Sequence, residues 1–273
     1  MRAYIHGFSF SEQARLIRQA TVLEREVFRG LDFSDAVSLL EVGCGVGAEL
    51  QIFRRRWPHL RFTGLDISPL HLAAAHTVMH DEIRDGLATL VEGDACNMPF
   101  ANASFDRVVT IWTLEHVADL AAVMGECLRV LKPEGCLICT EVDNNSFGFS
   151  PVQPVILDWW DRFNRYQEDA GGQPYVGPRL AGLAQSLHAR DIAEETLPII
   201  SSRRAPDRRE ELLDYLAALL LSAADQLRDA GLADDEDVQS LRDVFEAVRS
   251  DPAVHFQYFA TRMTCCPPGR EGQ

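Results

Sequence analysis

What most constrains this chain is its alternation of two hydrophobic periods. Between residues 37 and 142 the short apolar runs VSLLEV, RFTGLDI, LATLVEG, FDRVVTIW and GCLICTEV are interleaved with amphipathic patterns, notably over 48–57, 69–80 and 117–131. A run that is apolar on both faces belongs to a strand covered on both sides, and strands that alternate with helices pair in parallel. The pattern predicts a doubly wound α/β fold, a mostly parallel sheet with helices on both faces.

The flanks read differently. Ser9 with Glu12 has the spacing of a capping box, and Leu16, Ala20, Leu23, Val27 and Leu31 recur at helical intervals, so the chain should open with a helix laid on the core by one face. After Val142 the regularity breaks. A helix over 155–167 lies between Pro154 and Gly171-Gly172, and another opens at Gly177-Pro178. IAEETLPII resembles a strand, 208–250 read as charged, leucine-rich helices, and VHFQYFATRMTCC reads as a final strand. Residues 37–273 are therefore one domain with helical insertions at about 151–176 and 207–250. The second insertion could mediate a homodimer or cover a pocket.

Charge and cysteine usage bound the partners. Lys and Arg total 26 against 41 Asp and Glu, a formal net charge of -15, which repels phosphate backbones and anionic headgroups. A small molecule is the expected partner; nucleic acid and membrane are not. Seven scattered cysteines read as reduced thiols. The start has no secretory pattern, and LAALLLSAA from Leu216 to Ala224 is too short for a bilayer span. A cytoplasmic protein is expected.

The chemistry should lie where the first strand ends. Leu39-Leu40-Glu41-Val42-Gly43-Cys44-Gly45-Val46-Gly47 runs into a helix, the place where an open parallel sheet binds ligands. Glycines there allow a close backbone approach, and the helix start offers unpaired N–H groups. Asp66 closes the second strand, where a carboxylate can accept two hydrogen bonds from a ribose diol. Asp94 follows the third strand, placed to meet an adenine amino group. Glu41 precedes the glycines, and a carboxylate there disfavours a pyrophosphate and favours a cationic amine or sulfonium.

LLEVGCGVG, FTGLDIS, EGDACNMPFANASFDRVV, LEHV and LRVLKPEGCLI together resemble the class I S-adenosylmethionine-dependent methyltransferases, of the kind that includes the ubiquinone and menaquinone biosynthesis enzymes. The match covers about residues 37–142, with weaker likeness in YIHGFS, EVDNNS and WWDRFNRYQ to small-molecule methyltransferases. The resemblance implies a seven-stranded sheet of order 3-2-1-4-5-7-6 with its last strand antiparallel. S-adenosyl-L-methionine would be the cofactor, leaving as S-adenosyl-L-homocysteine. Gly43, Cys44, Gly45 and Gly47 would line its methionine part, Asp66 its ribose, Asp94 and Ala95 its adenine, with Ile67 packed on the adenine ring and Glu41 nearby. The acceptor would be a small molecule of specialised metabolism, methylated at N, O or C. The same glycines also admit an NAD-linked oxidoreductase, which Glu41 disfavours, and a methyltransferase-like protein that binds cofactor without turnover is a third reading.

Methyl transfer from a sulfonium is an in-line displacement, so alignment matters most, and a hydroxyl or carbon acid must also lose a proton. His116, after strand four, is a candidate general base or substrate ligand, or a structural histidine closing a helix start. Trp112 could wall the sulfonium by cation-π attraction or serve as core. Glu141 and Asp143 end strand five on the same edge and could orient an amine or accept a proton. Residues 1–36 would form a helical lid, in which Tyr4 or Gln19 meets the methionine carboxylate or the substrate. Trp159, Trp160, Phe163 and Tyr166 could be core or the substrate roof, and Arg179 could meet a substrate anion or form a surface salt bridge. No metal is expected: His76 and His80 lack a third ligand, and Cys136 and Cys139 point to opposite faces of a strand.

Overall fold

The computed structural model describes residues 5–7 and 9–269. The elements in chain order are α1 (Phe10–Val27), β1 (Ser38–Val42), α2 (Ala48–Arg56), β2 (Arg61–Asp66), α3 (Pro69–Val78), α4 (His80–Arg84), β3 (Ala88–Glu92), β4 (Phe105–Ile111), α5 (Leu120–Val130), β5 (Leu131–Ser150), α6 (Pro154–Asp169), α7 (Leu180–Ser186), β6 (Arg190–Ile200), α8 (Pro206–Leu221), α9 (Ala224–Asp229), α10 (Asp235–Ser250) and β7 (His255–Cys266). The strands form one seven-stranded sheet in the order β3-β2-β1-β4-β5-β7-β6. β1 to β5 pair in parallel, and β7 runs antiparallel to both β5 and β6.

Burial follows the strand pattern. Leu39, Leu40, Glu41 and Val42 of β1 are all buried, as a central strand covered on both faces requires. β1 is flanked by β2 on one side and β4 on the other, so the chain reverses its direction of travel across the sheet there. Such a switch point leaves a crevice beyond the carboxyl ends of the strands. The site lies in it.

Three local features differ from the expectations. Ser9 does cap α1 by accepting from the Glu12 N–H, but the Glu12 side chain turns away to an arginine, so the reciprocal half of the box is absent. A full capping box occurs instead at Asp234 and Asp237, opening α10. The strand that was expected to stop at Val142 continues to Ser150 after a register shift between Asp143 and Gly148. Among the described residues no helix is long and apolar enough to cross a membrane.

Candidate active site

The turn after β1 is built around backbone that only glycine tolerates. Gly43 has φ +74, and a Cβ there would sit 2.4 Å from the Thr113 side chain. At Gly45 (φ +51) a Cβ would have nothing within 4 Å, so this part of the turn stands open. Gly47 faces the other way, toward Ala75 and Met79, and serves helix packing. Beside the turn opens a cavity of about 600 Å³. Asp66 is buried at its edge: Oδ2 accepts from the Gly45 N–H at 2.8 Å and Oδ1 from the Ser68 N–H at 2.8 Å, fastening the turn to the start of α3. Gly43, Cys44, Gly45, Asp66, Ile67, Asp94 and Ala95 all line the cavity. Asp94 is exposed at the mouth and accepts from the Cys96 N–H, while Ile67 is 68% exposed on the rim.

The far end of the cavity is a chamber roofed by the helices after β5. Trp160 and Phe163 of α6 stack at 5.1 Å and 14°, and Tyr215 and Leu219 of α8 close it with Tyr258 of β7. Trp112 and His116 also line the cavity. Trp112 holds φ 53, a conformation costly for a bulky residue, and its indole N–H is buried without an acceptor.

The family model for the methyltransferase domain matches residues 40–139. The demethylmenaquinone methyltransferase of Thermotoga maritima is 35% identical over 104 residues, which cover 38% of this chain and 43% of that protein. That of Thermobifida fusca is 28% identical over 193 residues, covering 64% and 74%. The chain thus spans less than half the length of the first relative. The structure of Haemonchus contortus phosphoethanolamine N-methyltransferase 2 superposes with a TM-score of 0.60 at 17% identity, covering 96% of this chain and 58% of that one. The [4+2]-cyclase SpnF does so with 0.55 at 20%, covering 94% and 82%. These two likenesses establish the fold.

Residues 40–139 match a methyltransferase domain, and the sheet has the seven-stranded order that the sequence resemblance implies. Within the methyltransferase domain, several carboxylates sit elsewhere than their place in the sequence suggests. Glu41 is buried behind the glycine turn and does not line the cavity; one of its oxygens has no partner. Burial, then the charges of Glu49 and Asp66, push its pKa well up. Glu141 also lies off the cavity. Its carboxylate accepts from Thr110 Oγ1 at 2.8 Å, Leu114 N–H at 3.0 Å and Thr113 N–H at 3.1 Å, bracing the backbone that leaves β4. Burial outweighs those donors and pushes it up to about 8. Asp143 accepts from its own neighbour's N–H at Asn145, away from the cavity. Arg179 donates to Gln173 Oε1 at 2.6 Å on the surface, and among the described residues it forms no ion pair. Tyr4 lies outside the described residues.

The histidines are brought together. His116 Nδ1 is 3.4 Å from Gln167 Nε2, and its Nε2 is 3.7 Å from Glu115 Oε1. His6 stands edge-on to it at 6.2 Å, with Nδ1 2.6 Å from Ser222 Oγ. Burial lowers both pKa values, that of His6 well below the ordinary range, so both rings are neutral at pH 7.

Other cavity residues were missed by the sequence reading. Arg15 is buried and bidentate to Glu12, with Nε and Nη2 each at 2.7 Å, and Nη1 reaches Gln19 Oε1 at 2.6 Å. The available signal was the spacing of Glu12, Arg15 and Gln19, which places charge on the same helix face as Leu16 and Leu23. Glu49, in the first turn of α2, is pushed up to about 7 by burial against the pull of its helix-start N–H and Arg15. Tyr215 had no local signal beyond its apolar neighbours.

Proposed function

We propose that the protein transfers a methyl group from S-adenosyl-L-methionine to a small-molecule acceptor, in the specialised metabolism of the cytoplasm. The observation that carries this reading is one cavity lined together by the glycine turn, Asp66, His116 and the aromatic residues Trp160, Phe163 and Tyr215. The residues fit the cofactor. Gly45 leaves open backbone beside the Asp66 carboxylate, Asp66 would hold the ribose hydroxyls, and Asp94 with Ala95 would meet adenine at the mouth. Gly43, Cys44 and Arg15 would flank the methionine part. A dinucleotide would have to set its pyrophosphate against Glu49 and Asp66, which disfavours the oxidoreductase reading.

When bound, the cofactor supplies a methyl group on a sulfonium, open to in-line attack by a lone pair. The protein's share is to align the acceptor, keep water out and, at His116, take the acceptor's proton. α1 and the segment before it act as the lid, since His6, Arg15, Leu16 and Gln19 all line the cavity. The acidic balance of the molecule supports an acceptor other than nucleic acid.

Calorimetry with S-adenosylhomocysteine tests the reading first. Binding is expected, and Asp66→Ala should weaken it by at least about tenfold, the loss of one or two hydrogen bonds to a charged group. No binding to the wild-type protein would sink the reading. Labelled methyl transfer into a small-molecule extract then separates a working enzyme from a cofactor binder.

A further inference from the structure

We infer that the aromatic chamber is an ammonium site, in which Glu115 receives the positive end of an arylalkylamine acceptor. The inference rests on the methyl-transfer reading and deepens it.

The first argument is charge. The cavity is lined by one basic side chain with a permanent charge, Arg15, and by five acids, Glu49, Asp66, Asp94, Glu115 and Asp119. Arg15 is already held in a bidentate pair by Glu12. An acceptor bearing a carboxylate or phosphate would enter against this balance with no basic partner to meet.

The second argument is a buried carboxylate without a cation. Glu115 is 9% exposed and lines the cavity. Its Oε2 accepts from Gln167 Nε2 at 2.9 Å, and among the described residues no lysine or arginine pairs with it. The nearest base is His116 at 3.7 Å, whose pKa burial depresses. A buried carboxyl group whose side-chain partner is a single amide keeps acceptor capacity for a donor that arrives from outside, and a cation satisfies it best.

The third argument is the wall. Trp160, Phe163, Tyr215 and Tyr258 bound the chamber and give it a flat, largely apolar wall, with Trp160 stacked on both Phe147 and Phe163. Tyr258 is spoken for, donating to Asn144 Oδ1 at 2.6 Å. The Tyr215 hydroxyl is different: the residue is 4% exposed, it lines the cavity, and its oxygen makes no hydrogen bond to the described residues. An aromatic box with one acid and one spare hydroxyl suits an amine carried on a flat apolar body. A neutral alcohol would leave Glu115 uncompensated.

The chemistry balances. The ammonium loses one N–H proton to His116, the freed lone pair forms the N–C bond as the methyl carbon's bond to sulfur breaks, and His116 returns its proton to solvent.

The test uses the full chain saturated with S-adenosylhomocysteine and three probes of similar shape: 2-phenylethylamine, 2-phenylethanol and 3-phenylpropionate. Calorimetry at pH 7 should rank the ammonium at least about tenfold tighter than the alcohol, with the carboxylate weakest. Glu115→Gln should bring the ammonium to within about threefold of the alcohol while leaving the affinity for S-adenosylhomocysteine and the alcohol in place. The inference is overturned if the alcohol or carboxylate binds as tightly as the ammonium, if the ammonium does not bind, or if its advantage survives in Glu115→Gln. Should that variant not fold, the wild-type ranking decides alone. Loss of S-adenosylhomocysteine binding by the wild-type protein would instead overturn the methyl-transfer reading itself.

Discussion

His116 and Glu141 show how burial sets the working state of a single group. Burial lowers the pKa of His116, so the ring keeps its lone pair at pH 7 and is lost as a base only when pH falls below the ordinary 6.5. Turnover should therefore decline on the acid side of 6.5. His116→Ala should reduce kcat by about 10²- to 10⁴-fold with S-adenosylhomocysteine affinity unchanged, as steady-state kinetics and calorimetry can check. Glu141 is the opposite case. Its folded pKa, pushed up to about 8, lies above its ordinary 4.5. The stability it contributes is fully present below 4.5 and is lost as pH rises through 8. Urea midpoints measured from pH 5 to 9 should fall for the wild type, and fall less steeply for Glu141→Gln, which starts lower because an amide meets the two N–H donors less well.

The residue scale is also where the sequence is hardest to read. Gly43, Gly45 and Asp66 declare themselves because backbone geometry and strand ends fix where they go. Glu41 and Glu141 look alike on paper, as acids at strand ends, yet both turn under the edge to which their strands point. Side-chain direction at a strand end depends on what donors the neighbouring loop presents, and that loop is not local in sequence.

Among the elements, α10 is held by a side chain from another helix. Buried Arg209 of α8 donates to the carbonyls of Val248 at 2.6 Å, Asp251 at 2.7 Å and Arg249 at 3.1 Å, satisfying the end of α10 that has no glycine cap. Arg262 of β7 does the same for α1, reaching the carbonyls of Val27 and Arg29. Arg209→Met keeps much of the apolar stem and leaves these carbonyls without a donor, so it should cost about 2–3 kcal/mol in urea unfolding. The charged, leucine-rich insertion at 207–250 was legible as helices. Its apolar stripe said that one face is buried but not against what, and only the fold shows Tyr215 and Leu219 of α8 at the cavity.

For the whole molecule, the strand order was legible because each apolar run is short, two-faced and separated by a helix. The continuation of β5 past Val142 was not, since a register shift interrupts the alternation that marks a strand. The net charge of -15 has a kinetic consequence at this scale. A negative field draws cations toward the cavity mouth and weakens with salt. Stopped-flow association of 2-phenylethylamine should therefore slow as NaCl rises from about 0.05 to 0.5 M, while that of 2-phenylethanol should change little.

The place of β7 bears on how the molecule is made. Among the described residues β6 pairs only with β7, and β7 is threaded between β5 and β6 although it follows both in the chain. On the ribosome, β5 must therefore wait with a bare edge, and β6 with none of its ladder, while three further helices are synthesised. Only when residues 255–266 emerge can that half of the sheet zip. The same strand carries Tyr258 into the lining of the cavity, so that wall of the cavity is among the last parts of a newborn chain to exist.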